Sequence, residues 1–288
     1  MNRQQLAARL LRLAPAAAMA LVVGCGGGSG PSVTTLVASP VMYSRTMVVT
    51  VNGLDLGQGI TMSVEGGCTG VAAMAGGGGT TQQFSCLVDA VGPLKVQINR
   101  TGAGRLAQLE LDVPLPQARL TTTRGTIEIE LDPTRVKATV DNFLRYLNEG
   151  FYRSLIFHRV DGSLNVIQSG GFSTGPVFRT ATHPPIALES NQGLNNLRGT
   201  IGMARQSAPN SANSQFYFNL QDNPSFDPID ETRPGYAVFG RVTVGLDVID
   251  AIGSVPVSTQ VALINGAPQL LANVPVAEII IIGAGQIR

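Results

Sequence analysis

Gly150-Phe151-Tyr152, then Phe157-His158-Arg159-Val160, then Gln168-Ser169-Gly170-Gly171-Phe172, is the stretch on which the reading of this chain turns. Residues 155–160 and 166–168 are short apolar runs bounded by turn residues, the pattern of strands. Just upstream, Val136, Val140, Phe143, Leu144 and Leu147 recur at helical spacing, and Gly150 stops the helix. Asp132-Pro133 is read as its N-cap and first-turn proline. Two strands, 120–123 and 126–131, flank Arg124-Gly125 before that helix. Downstream, strands are predicted over 197–204, 215–220, 237–242 and 276–282, with a second short helix over 245–252. About eight strands and two helices predict a mainly β unit, an eight-stranded closed barrel capped at its ends, because closure leaves no strand edge open.

Three more blocks follow in order: Arg198-Gly199-Thr200-Ile201-Gly202-Met203-Ala204-Arg205, Ser214-Gln215-Phe216-Tyr217-Phe218, and Gly235-Tyr236-Ala237-Val238-Phe239-Gly240-Arg241-Val242. Together with the opening stretch they resemble the cyclophilins, and most nearly the bacterial periplasmic branch, across residues 119–288. The resemblance implies a cyclophilin-like barrel and a peptidyl-prolyl cis/trans isomerase that uses no cofactor and no metal. Its partners would be proline-containing unfolded or extended polypeptides. Arg159 would donate to the imide nitrogen, since its guanidinium stays charged and offers five fixed donors. Gln168 and Gln215 would bond the substrate backbone and help hold Arg159, completing the catalytic set. Ala204 and Arg205 would offer main-chain groups, while Val166, Phe216, Tyr217, Phe226 and Tyr236 would form the proline pocket or its wall. His158 invites a general-base role, but isomerisation transfers no proton, and the resemblance gives it a packing role. His183 is read as a loop residue.

The sequence also departs from the family pattern. Eight residues, 160–167, separate Arg159 from Gln168, one more than relatives have, which predicts a bulge or a longer turn. The pocket wall then falls to Leu164 or Asn165. Ser225 stands where animal members place a Trp, and Tyr236 where they place a His. These departures keep open an alternative, a proline-peptide binding module or chaperone with little turnover. A surface protein whose N-terminal module does the work is a third possibility.

The N-terminal half reads differently. Residues 1–24 carry Arg3, Arg9 and Arg12 ahead of an apolar run from Leu13 to Val23, with no acid, the pattern of a secretory signal. Leu21-Val22-Val23-Gly24-Cys25 resembles a bacterial lipobox, so Cys25 is expected to be lipidated (palmitate-type acylation) and the chain to be an exported lipoprotein. It would be a monomer facing the periplasm, touching the membrane through the anchor only, with the outer membrane favoured by Gly26. Residues 25–32 form a Gly-rich tether. Residues 33–118 show five to seven short strands and no helical period, predicting a small β-sandwich similar to immunoglobulin-like modules. Strands are expected at 45–51, ending at Asn52-Gly53, and at 60–64, 83–88, 94–98 and 106–111. Cys68 and Cys86 are expected to form a disulfide in an exported protein. Pro114-Leu115-Pro116 closes this module.

Composition narrows the rest. The 288 residues are 44% apolar and 14% charged, with 34 Gly and 17 Pro, which argues against disorder and for many turns and short strands. A net charge of +1, falling to −2 without the three leader Arg, gives no basic excess for nucleic acid. The two His have no clustered Cys or acid at metal-ligand spacing.

Overall fold

A computed structural model describes residues 19–21 and 30–288 apart from Ala103. The signal segment 1–24 (except 19–21), Cys25 and most of the tether lie outside the described residues. The chain divides after Pro114 into two compact units.

Two antiparallel sheets make up the first unit. One runs in the spatial order Met19–Leu21, Ser32–Ala38, Thr46–Leu54, Thr81–Val88, Cys68–Ala73; the other runs Ile60–Glu65, Gly92–Arg100, Gly104–Val113. Alternation along the strands buries Met47, Val49 and Val51 on the first sheet and Leu94, Val96 and Ile98 on the second, so each sheet has one apolar face, as a sandwich requires. Asn52-Gly53, read as a strand end, lies inside the strand. A Cβ on Gly53 would meet the Ser32 carbonyl oxygen at 1.8 Å, so glycine here serves a close strand approach and not a turn.

Cys68 and Cys86 are disulfide-bonded with Cα atoms 5.7 Å apart. They sit on neighbouring strands of one sheet, whereas the antibody-type bridge joins the two sheets. Replacing both by Ala is expected to destabilise this unit by about 3 kcal/mol, the chain-entropy value for a loop of this size. A thermal melt of the full chain should show one transition lowered and the other unchanged.

The second unit is built on an eight-stranded antiparallel sheet. Its order is Arg159–Asp161, Val166–Ser169, Phe216–Asn219, Thr200–Met203, Val238–Val244, Gly125–Leu131, Gln117–Thr122, Ile281–Gln286. Gln117 and Ala118 therefore pair within this unit, not in the first. The expected closed barrel is not a continuous ring of strands. The gap between the two edge strands is spanned by irregular backbone, with Phe157 N–H donating to Ile279 O at 2.9 Å and Ile281 N–H to Leu155 O at 2.8 Å. Residues 155–157 divide their hydrogen bonds between this seam and neighbouring backbone, with Ile156 N–H donating to Phe172 O at 2.9 Å, and so form no regular ladder.

Helix α1, Lys137–Asn148, buries Val140, Phe143, Leu144 and Leu147, with the Phe143 ring 5.1 to 5.6 Å from those of Tyr152, Phe216 and Phe239. Asp132 does not cap it. The Asp132 carboxylate accepts from Thr134 N–H in the preceding turn, and the free N–H groups of Ala138 and Thr139 donate instead to Glu189, at 3.2 and 2.8 Å. Helix α2, Leu246–Gly253, buries Ile249 and Ile252.

Between α2 and the last strand lies a hairpin the sequence reading does not contain, Val257–Ile264 with Ala267–Pro275. It joins Phe172–Ser173 and Val177–Phe178 in a second sheet. The strand expected at 276–282 begins only at Ile281.

Candidate active site

Arg159–Asp161 and Val166–Ser169 form a hairpin in unbroken register, with Arg159 opposite Gln168 and Asp161 opposite Val166. The extra residue therefore lengthens the turn, 162–165, and creates no bulge. Asp161 organises that turn: its Oδ1 accepts from Ser163 N–H (3.0 Å), Ser163 Oγ (2.6 Å) and Leu164 N–H (3.1 Å). Asn165 closes it in the left-handed region at φ 52°, where Asn is better tolerated than most residues. Asn223 Nδ2 donates to Leu164 O at 3.0 Å and fastens the turn from outside.

The ladder continues sideways, Gln168 opposite Tyr217 and Tyr217 opposite Gly202. Because side chains alternate across a strand, Arg159, Gln168 and Tyr217 form a row on one face. Gly202 makes room at its end, since a Cβ there would lie 2.3 Å from the Tyr217 hydroxyl. Gln168 Nε2 donates to Gln215 Oε1 at 2.8 Å. Arg159 Nη2 donates to Asp161 Oδ2 at 2.6 Å, and its side chain remains 37% exposed.

Alternation also corrects one assignment. Phe216 is fully buried, 5.3 Å from the Tyr152 ring and 5.8 Å from that of Phe218; it is core and cannot touch a ligand. Tyr217, one residue on, packs edge-on against Phe226 and Tyr236 at 5.7 and 5.9 Å. It is itself buried, with its hydroxyl donating to Asn196 Oδ1 at 2.6 Å, so it is the floor beneath half-buried Phe226 and Tyr236. Burial, with Tyr236 and Asp227 nearby, pushes the Tyr217 phenol well above its usual range despite the opposing Arg205 charge. Tyr217→Phe is expected to cost about 1 kcal/mol, the typical worth of a buried hydrogen bond, read as a lower urea midpoint.

Arg205 does more than offer main chain: its guanidinium lies 4.7 Å from the Tyr236 ring centre and its Nε donates to Gly235 O at 3.0 Å. Ala204 N–H donates to Gln215 O at 2.9 Å. Gln168, Ala204, Arg205, Ser214 and Gln215 line a cavity of about 160 Å³ beside this row. Val166 is buried, while Leu164 is exposed at the turn, and Ser225 is exposed in a short helical turn, Pro224–Phe226. His158 is buried among apolar groups, its ring 4.7 Å from that of Phe172, and its Nδ1 has no hydrogen-bond partner. Burial and then the Arg159 charge hold it at about 3, against weaker pulls from Ile156 and Gln215, so it stays neutral at ordinary pH. His183 Nε2 lies 2.8 Å from Glu149 Oε2 at the C-terminal end of α1.

Asp161, Asn196 and Asn223, which bond Arg159, the Tyr217 hydroxyl and the 162–165 turn, are supports of the candidate site that the sequence reading misses. An Asp-Gly-Ser tripeptide at 161–163 is itself a turn signal. The arrangement offers a permanently charged donor and amide groups next to an apolar aromatic face. It holds no nucleophile activated by a base, and suits a reaction that twists a bond without breaking one.

Residues 117–284 match the family described as cyclophilin type peptidyl-prolyl cis-trans isomerase/CLD. Peptidyl-prolyl cis-trans isomerase A of Dickeya dadantii is 44% identical over 169 residues, covering 59% of this chain and 83% of that protein. A peptidyl-prolyl cis-trans isomerase of Acinetobacter baylyi is 47% identical over 138 residues, 48% of this chain and 72% of its own. Peptidyl-prolyl cis-trans isomerase B of Escherichia coli is 45% identical over 136 residues, 46% of this chain and 82% of its own.

Proposed function

The chain belongs to the cyclophilin-type peptidyl-prolyl cis-trans isomerases, and from that premise we propose that it turns X-Pro bonds of extended, exported polypeptides and so assists their folding. The imide barrier of about 18–20 kcal/mol comes from amide resonance, and uncatalysed relaxation takes about 10–100 s. A donor that competes for the nitrogen lone pair weakens that resonance. Arg159 is that donor, Gln168 and Gln215 bond the flanking backbone, and Phe226 and Tyr236 receive the proline ring over Tyr217. The observation that carries this reading is the row of Arg159 and Gln168 beside the Tyr217–Phe226–Tyr236 cluster. The test is a chymotrypsin-coupled assay on a proline tetrapeptide with the full chain. The cis-to-trans rate should rise in proportion to protein concentration; a rate equal to the uncatalysed one overturns the reading. Saturable peptide binding without turnover would instead support the binding-module alternative, which the longer 162–165 turn favours.

The leader pattern of Arg3, Arg9 and Arg12 before Leu13–Val23 and Cys25 supports export as a lipid-anchored, periplasm-facing protein. Two strong acyl signals are needed for stable anchoring, and a lipidated N-terminal Cys carries several chains. Cys25→Ala is expected to release the protein from membranes or leave an unprocessed precursor, visible on fractionation. The N-terminal strands fit an immunoglobulin-like spacer or docking module, although their disulfide is placed differently.

A further inference from the structure

We infer that Asp161 is a positioning residue for Arg159, and that the hairpin Val257–Ile264/Ala267–Pro275 contributes to that task through Asn273. The inference rests on the isomerase reading above. Residues two apart on a strand share a face, so Asp161 stands beside Arg159 on the groove side and takes its Nη2 at 2.6 Å. An arginine side chain is rich in rotamers, with about 2 kcal/mol of rotamer entropy. One partly exposed in a groove needs an anchor if its donors are to meet a nitrogen in a single orientation.

Asp161 is built as such an anchor. Its side chain is 6% exposed. Three donors from Ser163 and Leu164 occupy Oδ1, while Oδ2 receives Arg159 and, at 3.2 Å, Asn273 Nδ2. Both carboxylate oxygens are thus fixed, one by its own turn and the other by a strand 112 residues away in sequence. Asn273 is delivered by a left-handed backbone, φ 59°, a conformation unusual inside a strand. Burial pushes the Asp161 carboxyl up, but the Ser163 and Leu164 donors and the Arg159 charge outweigh it and hold it at about 2. The anchor is therefore charged at every pH where the enzyme would work. One guanidinium corner is committed to Asp161; among the described residues, Arg159 makes no other side-chain hydrogen bond, which leaves its remaining N–H groups to the substrate.

The experiment measures kcat and KM separately on a proline tetrapeptide with the full chain. Asp161→Asn retains an oxygen for Ser163 and Leu164 but loses the charge that fixes Arg159. The expected result is kcat lower by about fivefold or more with KM within about twofold. Asn273→Gly, which suits the backbone and removes the amide, should lower kcat about two- to threefold. In an Arg159→Ala background, Asp161→Asn should have no further effect, because it acts through the arginine. Wild-type kcat in Asp161→Asn overturns the inference, as does an equal loss in both backgrounds, which would mark a purely structural role. If the unaltered chain does not turn over the peptide, the isomerase reading fails and takes this inference with it. If the chain is active and Asp161→Asn matches it, only the inference fails.

Discussion

Arg159→Ala is expected to lower kcat/KM on a proline peptide by about a hundredfold or more. Removing a single preorganised donor aimed at developing charge typically costs about 10²–10³ in rate. Arg159 is the one side chain in the row that carries permanent charge; Gln168 and Gln215 are neutral and already bonded to each other at 2.8 Å. Nothing nearby replaces it, since Arg205 is committed to the Tyr236 ring and the Gly235 and Gln206 carbonyls. The fold should survive, because the side chain is 37% exposed and Asp161 keeps its bonds from Ser163, Leu164 and Asn273. A lost rate with a cooperative melt retained, the melting temperature lowered only by the loss of the Arg159–Asp161 ion pair, is therefore the outcome to look for. Gln215→Ala should be milder, since it removes one neutral hydrogen bond. Activity equal to wild type in Arg159→Ala would remove the proposed mechanism.

Most of the second unit is legible from sequence blocks whose order is specific rather than from alternation, since Phe216–Asn219 is buried at every position and Thr200–Met203 at all but its first. What escaped the sequence has identifiable physical causes. In Val257–Ile264 the alternation is broken, with Val257, Val261 and Leu263 exposed and only Ala262 buried. A run that buries so little apolar surface gives no periodic signal. The stronger clue was Asn265-Gly266, both at positive φ, 51° and 80°, the pair favoured by a two-residue hairpin turn. Phe216 was misassigned because adjacent aromatics on a strand look equivalent in sequence, although a one-residue change of phase exchanges core for groove. The helix cap was missed for the opposite reason: Asp132 was local and plausible, but Glu189, about 50 residues away, provides the acceptor. Sequence shows one extra residue after Arg159 and leaves a bulge or a longer turn open. It does not show that Asp161, the last paired residue before that turn, sets a clamped carboxylate against the same arginine.

The second large effect is expected on acidification. The His158 ring is neutral in the folded protein down to about pH 3, held there first by burial and then by the Arg159 charge. Nδ1 has no hydrogen-bond partner, and the pull of Ile156 and Gln215 on the ring is too weak to offset burial. In the unfolded chain the same ring protonates below its ordinary value of about 6.5. Between those limits the unfolded state binds the extra proton, so stability rises with pH and falls on acidification. The loss begins near pH 6.5 and deepens by up to about 1.4 kcal/mol per pH unit toward pH 3, several kcal/mol in all. Asp161 acts in a lower window. Its depressed carboxyl adds stability above an ordinary value of 3.8 that is lost only as pH falls toward about 2, so it cannot account for weakening between pH 6 and 4. Urea midpoints of the second unit, followed by tyrosine fluorescence because the chain has no Trp, should therefore decline from pH 6.5 to 4. His158→Gln, which is never charged, should flatten that slope whatever its stability at neutral pH. An identical slope in the variant would mean that His158 is not the group that makes the fold acid-sensitive.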